Sequence, residues 1–213
     1  MWCDTIWYDM MIWYDMIWYD VMWCDTIWHD ENDAPIPITR ASDNGVGLAT
    51  GIFTNSGSAS GNSFYGNIIG VQADGISVVN SNNQCYGIQI SGSPNNIIGG
   101  NTSGHRNVIS SNTGAGIGIS SVSSTGNLVK GNYIGLTLNG DIKISGGSQP
   151  QGVLIWNAAG SNIIGGSATN EGNVISGNTI NGIYTYSVNG NTYQGNIIGP
   201  QADGVSFVAS NTQ

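Results

Sequence analysis

From about residue 41 the chain repeats itself at a period near 65 residues, and this restricts the available folds more than any other feature. The segment NIIGG at 96–100 recurs at 162–166, an offset of 66, and NVIS at 107–110 recurs at 173–176 with the same offset. GNLVKGNYIG from Gly126 matches GNSFYGNIIG from Gly61 and GNTYQGNIIG from Gly190, at offsets of 65 and 64. Such a period marks a stacked architecture, in which each unit buries its apolar face against the next. Helical repeats do not suit a chain with 33 glycines, because each glycine inside a helix costs about 1 kcal/mol relative to alanine.

Short apolar pairs divide the unit further. One series runs Ile76, Ile97, Ile117, Ile142, Ile163, Ile183, Val205, and a second runs Ile68, Ile88, Val108, Tyr133, Val153, Val174, Ile197, each advancing by 20 to 25 residues. Steps of that size suit one coil of a parallel β-helix. The expectation is an all-β solenoid of about eight coils, three to each 65-residue unit, rising about 4.8 Å per coil. Strands are short, as in Gly87–Ile90, where alternation puts Ile88 and Ile90 on one face. Between them, Gly-Asn pairs such as Gly131-Asn132, Gly172-Asn173 and Gly195-Asn196 suit turns that need positive φ. In-register asparagines would form ladders between coils.

The first 31 residues belong to a different pattern. They break into pentads of the type IWYDM, with Trp at 2, 7, 13, 18, 23 and 28, each followed two residues later by Asp. A five-residue period matches neither helix nor strand, so no independent fold is expected over 1–31. An aromatic, acidic docking arm and a translated, slipped DNA repeat are the two readings of this segment. Residues 32–44, with Pro35 and Pro37, read as an extended linker, and 45–213 as the β-helix. Its last residues, GVSFVASNTQ, match GISVVNSNNQ at 75–84, which runs on into CYGIQI, so the reading is a chain that stops in mid-repeat with uncapped sheet edges.

Composition excludes several functions. Eight of the thirteen acidic residues fall within the first 33 positions; beyond residue 40 only Asp43, Asp74, Asp141, Glu171 and Asp203 stand against Arg106, Lys130 and Lys143. That balance gives no electrostatic footprint for nucleic acid. No run of about 18 apolar residues offers a membrane span, and no signal peptide is visible. Cys3, Cys24 and Cys85 are odd in number and lack metal-ligand spacing, so neither a zinc site nor a disulfide framework is expected.

The motifs NIIGG, GNVISGN at 172–178 and GNYIG at 131–135 resemble the repeats of right-handed parallel β-helix proteins of the pectin-lyase-like class, a bacterial secreted and surface type, over roughly 45–213. The resemblance implies a right-handed coil and an extracellular or cell-surface location. It implies no single activity, because the class includes polysaccharide lyases and hydrolases, epimerases, tailspikes and adhesins. Its lyases commonly use calcium held by carboxylates together with a basic residue, and no such acidic cluster occurs here; calcium-binding GGxGxD repeats are absent too.

The residues themselves offer little chemistry. Asp74 and Asp203 occupy equivalent Asp-Gly turns, where the middle unit has Asn139-Gly140, and read as turn residues. His105 and Arg106 read as a solvated loop, with His105 opposite Glu171 one unit away, about 14 Å at three coils. Asp141 and Lys143 flank Ile142 and read as an exposed ion pair. Trp156, Tyr184 and Tyr186, with Tyr193 nearby in sequence, are candidates for a carbohydrate platform, because aromatic rings stack on sugar faces; the alternative is that they fill coil corners. No catalytic residue, metal site or cofactor is assigned. The expected function is a non-catalytic structural or adhesive segment of an extracellular β-helix protein. A carbohydrate-binding or polysaccharide-degrading β-helix, with only part of its site in this stretch, is the alternative. The expected partners are carbohydrate or further copies joined through open coil ends.

Overall fold

The computed structural model describes residues 49–79, 84–157 and 159–208, all within the unit Thr39–Gln213. The pentads of 1–31, the linker 32–44 and the final 209–213 lie outside the described residues. The described strands are all parallel to their neighbours and form three sheets of five. Numbered in chain order, sheet A holds β1 (Ala49–Asn55), β4 (Gln84–Ser91), β7 (Ala115–Ser120), β10 (Gln151–Trp156) and β13 (Asn181–Tyr186). Sheet B holds β2 (Ser63–Phe64), β5 (Ile97–Gly99), β8 (Leu128–Lys130), β11 (Ile163–Gly165) and β14 (Thr192–Gln194). Sheet C holds β3 (Ile68–Ile69), β6 (Val108–Ile109), β9 (Tyr133–Ile134), β12 (Val174–Ile175) and β15 (Ile197–Ile198). The chain thus visits A, B and C in turn and starts again one strand along, as a parallel β-solenoid does.

The coil count differs from the expectation. Stacked asparagines at one corner measure each coil: 34 residues from Asn62 to Asn96, 31 to Asn127, 35 to Asn162 and 29 to Asn191. Long and short coils alternate, so the 65-residue unit is two coils rather than three, and the described residues make five coils rather than eight. The two apolar series had counted sides of the coil. Ile88, Ile117, Val153 and Ile183 stack directly in sheet A, although they alternate between the two series, and Ile97 and Ile163 belong to sheet B. Ile76, Ile142 and Val205 lie in no sheet. They sit in hairpin excursions at 70–79, 135–144 and 199–208, closed by the antiparallel bridges Val71↔Val78, Leu136↔Lys143 and Pro200↔Phe207. An excursion follows sheet C in every second coil, and this is what makes that coil long.

Alternation carries the packing. Ile88, Ile90, Ile117, Ile119, Val153 and Ile155 from sheet A meet Ile98, Val129 and Ile164 from sheet B and Ile109, Ile134 and Ile175 from sheet C in one buried cluster. Fully burying a side chain of this size contributes about 1.5 to 3 kcal/mol. The corners are polar, and they are satisfied by columns of amides. In one column each asparagine Oδ1 accepts both the backbone N–H and the Nδ2 of its counterpart one coil earlier, through Asn67, Asn107, Asn132, Asn173 and Asn196. A second column runs Asn62, Asn96, Asn127, Asn162, Asn191, and a third Gln84, Asn112, Gln149, Asn178. Buried turns of backbone need such partners.

Candidate carbohydrate-binding face

Sheet A has one face in the core and one turned outward. Ile117 and Ile119 point in, so Gly118 between them faces out, and its register partners Gln89, Leu154 and Tyr184 share that face. Two residues on, Trp156 pairs with Ser120 on one side and Tyr186 on the other. The structure therefore brings the sequence candidates Trp156, Tyr184 and Tyr186 together on adjacent strands. Tyr193 is elsewhere, on β14 of sheet B, paired with Ile164.

The sequence reading missed a fourth ring. Tyr86 on β4 stacks on Trp156 on β10, with centroids 5.8 Å apart and planes inclined by 13°. The strand between them, β7, permits this because it carries Gly118. A Cβ there would lie 2.9 Å from Tyr86 Cδ1 and 3.1 Å from Trp156 Cζ3, so any side chain would separate the rings. The repeat does carry a signal: GIQI from Gly87 matches GVLI from Gly152, which places Tyr86 level with Gln151. The register confirms that row, with Tyr86 beside Ala115 and Ala115 beside Gln151.

Accessibility divides the face. Tyr86 is 4% exposed and Trp156 8%, whereas Tyr186 is 47% exposed and Tyr184 half-buried. Trp156 therefore has one ring face against Tyr86 and little surface left, and the accessible aromatic surface is that of Tyr184 and Tyr186. The buried Oε1 of Gln151, on the same face, has no hydrogen-bond partner among the described residues. An acceptor left so costs about 1 to 3 kcal/mol unless a donor reaches it.

Burial also sets the ionisation of Tyr86, pushing its phenol up to about 12. An unfolded tyrosine titrates near 10, so between those values the unfolded chain gives up a proton that the folded chain keeps. The contribution is complete below about pH 10 and is lost as pH rises through the folded value, amounting to about 2 to 3 kcal/mol at the far end. Melting temperatures followed from pH 9 to 12 are expected to fall less steeply for Tyr86→Phe than for the parent chain; equal slopes would contradict the buried phenol.

Ionisable side chains lie away from this face and are occupied. Asp74 Oδ1 accepts the backbone N–H groups of Ile76 and Ser77 at 2.9 Å, and its Oδ2 takes the Ser77 hydroxyl at 2.6 Å. Asp203 does the same for Val205 and Ser206, at 2.9 and 2.8 Å. The Ser77 and Ser206 hydrogen bonds hold both carboxyls below the usual range, in keeping with turn residues. Asp141 departs from the expected pairing with Lys143: it accepts the Thr137 hydroxyl at 2.6 Å, and Lys143 lies in the hairpin bridge opposite Leu136. A hairpin replaces the expected strand there, so the two side chains do not share a pleated face.

The loop before Asn107 is more ordered than a solvated one. His105 ends a 3₁₀ turn, Ser103–His105, and stacks on Tyr65 of the preceding coil with centroids 4.7 Å apart. The Arg106 guanidinium lies 4.1 Å over the Tyr133 ring, and its Nε donates to the Gly131 carbonyl at 3.3 Å. Glu171, the counterpart of His105, pairs with Lys130 at 2.9 Å from the coil between them. That hydrogen bond from Lys130 holds the Glu171 carboxyl below its ordinary value. Sequence spacing missed the pair because it counted three coils per unit and so left no residue of an intervening coil opposite Glu171.

Cys85 is disulfide-bonded. This corrects the expectation drawn from an odd cysteine count, which argues against a framework of several bridges and not against one bond. Among the described residues no group of three or more His, Cys, Asp or Glu side chains is placed to hold a metal ion, and no helix is long and apolar enough to cross a membrane. No family model, curated protein or solved structure matches the chain.

Proposed function

We propose that this solenoid is a non-catalytic structural or adhesive segment of an extracellular or cell-surface protein, with the right-handed coil and pectin-lyase-like kinship that its repeat motifs resemble. The observation that carries the reading is the employment of its ionisable groups: Asp74 and Asp203 tie turns, Lys130 and Glu171 link two coils, and Arg106 clasps Tyr133. Catalysis on acidic polysaccharides needs such groups converging on a substrate, with paired carboxyls about 5 to 9 Å apart for glycoside hydrolysis. Right-handedness is supported by the strong preference of parallel crossovers, and an oxidising compartment by the Cys85 disulfide.

A second reading, carbohydrate binding, is favoured by the outer face of sheet A. Tyr184 and Tyr186 supply partly open rings, and Gln151 Oε1 supplies an acceptor in need of a donor such as a sugar hydroxyl. The two readings separate on a glycan array combined with a depolymerisation assay on uronic-acid polysaccharides. The structural reading expects no turnover and no saturable glycan binding. Binding that Tyr186→Ala weakens at least about tenfold, with the fold retained, selects the second reading. Turnover abolished by substitution of Asp141, His105 or Arg106 overturns both in favour of an enzyme.

A further inference from the structure

The three hairpin excursions stand on alternate coils, yet they touch one another. Leu138 N–H donates to the Gly75 carbonyl and Ala202 N–H to the Gly140 carbonyl, each at 2.9 Å. A Cβ at Gly75 would lie only 2.7 Å from the Leu138 Cβ. Coils rise about 4.8 Å each, so a hairpin of two antiparallel arms fills the height of two coils with no slack. Two neighbouring coils that both carried a hairpin would have no room for them.

The first and fifth described coils both carry one, at 70–79 and 199–208. In every other respect their outer faces are complementary. β1, β2 and β3 at one end and β13, β14 and β15 at the other each have a single strand neighbour. The amide columns run with the donor in the earlier coil, so Asn191 and Asn196 N–H would meet Oδ1 of Asn62 and Asn67 in a following copy. Ile198, which continues the inward row of sheet C, is 47% exposed at the fifth coil. Open parallel edges of this kind recruit further strands.

We propose that the hairpins at 70–79 and 199–208 form a built-in block to head-to-tail association. The end of the fifth coil fits a coil without an excursion and rejects the first coil of a second copy of this chain, because the two hairpins would meet at one-coil spacing. The sheets and amide columns favour the joint; the excursions forbid it.

Sedimentation equilibrium on the whole chain and on a deletion of 200–207 tests this. The parent is expected to sediment as a single copy over a hundredfold range of concentration, and the deletion to give masses that rise with concentration in multiples of the chain. Adding Ile198→Lys to the deletion sets a charge on the open edge and is expected to restore the single copy. A deletion of 72–77 removes the opposing hairpin and is expected to assemble likewise, which keeps the test alive if the first deletion does not fold. The proposal is overturned if the parent chain itself associates in a way that Ile198→Lys abolishes. It is overturned equally if both deletions, folded by circular dichroism, remain single, or if the lysine leaves the assemblies intact.

Discussion

Asn132→Asp is expected to lower the stability of the solenoid by about 3 to 5 kcal/mol at pH 7, although it exchanges one NH₂ for an oxygen. Asn132 is fully buried at the centre of its column. Its Oδ1 accepts from Asn107 N and Nδ2 at 3.2 and 2.9 Å, and aspartate could still do that. Its Nδ2 donates to the Ile98 carbonyl at 3.0 Å and to Asn173 Oδ1 at 2.9 Å, and there aspartate would set an acceptor against two acceptors. A buried carboxylate in that place either stays charged without donors or takes up a proton. Its folded pKa therefore rises above the unfolded value near 3.9. With the folded value raised, the deficit is largest above it and shrinks as pH falls, since the protonated carboxyl regains one donor. Urea unfolding of parent and variant at pH 7 and pH 4 checks both parts. A variant within about 1 kcal/mol of its parent at pH 7, or one whose deficit grows on acidification, would show that the column is not a dry, donor-dependent stack.

Gly131→Ala is the second large effect, about 3 kcal/mol or more. Gly131 adopts φ of 68°, where a side chain strains the backbone. An added Cβ would also sit 1.8 Å from the Gly100 carbonyl oxygen and 2.9 Å from that of Asn170, and both obstacles are backbone. The residue cannot move aside easily, because its N–H donates to the Glu171 carbonyl at 3.0 Å and its own carbonyl takes the Arg106 Nε. Gly104→Ala is the control. It has no atom within 4 Å of its added Cβ and no positive φ, so its stability is expected to change by no more than about 0.5 kcal/mol. Thermal unfolding of the pair should separate them by many degrees; similar midpoints would mean that the corner at Gly131 relaxes.

These two residues also show how far the sequence could be read. The pair Gly131-Asn132 recurs at 172–173 and 195–196, and a need for positive φ was the reason offered for its glycine. Gly131 and Gly195 have positive φ, at 68° and 66°. At Gly172 the requirement is space: a Cβ would lie 1.8 Å from the Gly195 carbonyl oxygen of the next coil. The ladder role of the asparagines followed from their repetition alone, because an amide carries both a donor and an acceptor and can therefore stack on its own kind.

The candidate face was legible in part. Tyr184 and Tyr186 could be placed on one face by alternation, and Trp156 lay near an equivalent strand. That Trp156 is closed over by Tyr86 could not be read, since the contact spans two coils and depends on a glycine in the strand between.

The sequence by itself determined that this chain builds a parallel β-solenoid, that isoleucines and valines fill its interior and that asparagines line its corners. Each of those follows from local chemistry repeated at a period, which any copy of the unit displays. Only the tertiary structure decided which strands stack. The spacing of apolar pairs counts the sides of a coil, whereas the coil closes where backbone hydrogen bonds find their register. The hairpin excursions lengthen alternate coils to two strand heights of neighbouring space, and that volume constraint exists only once coils lie on one another.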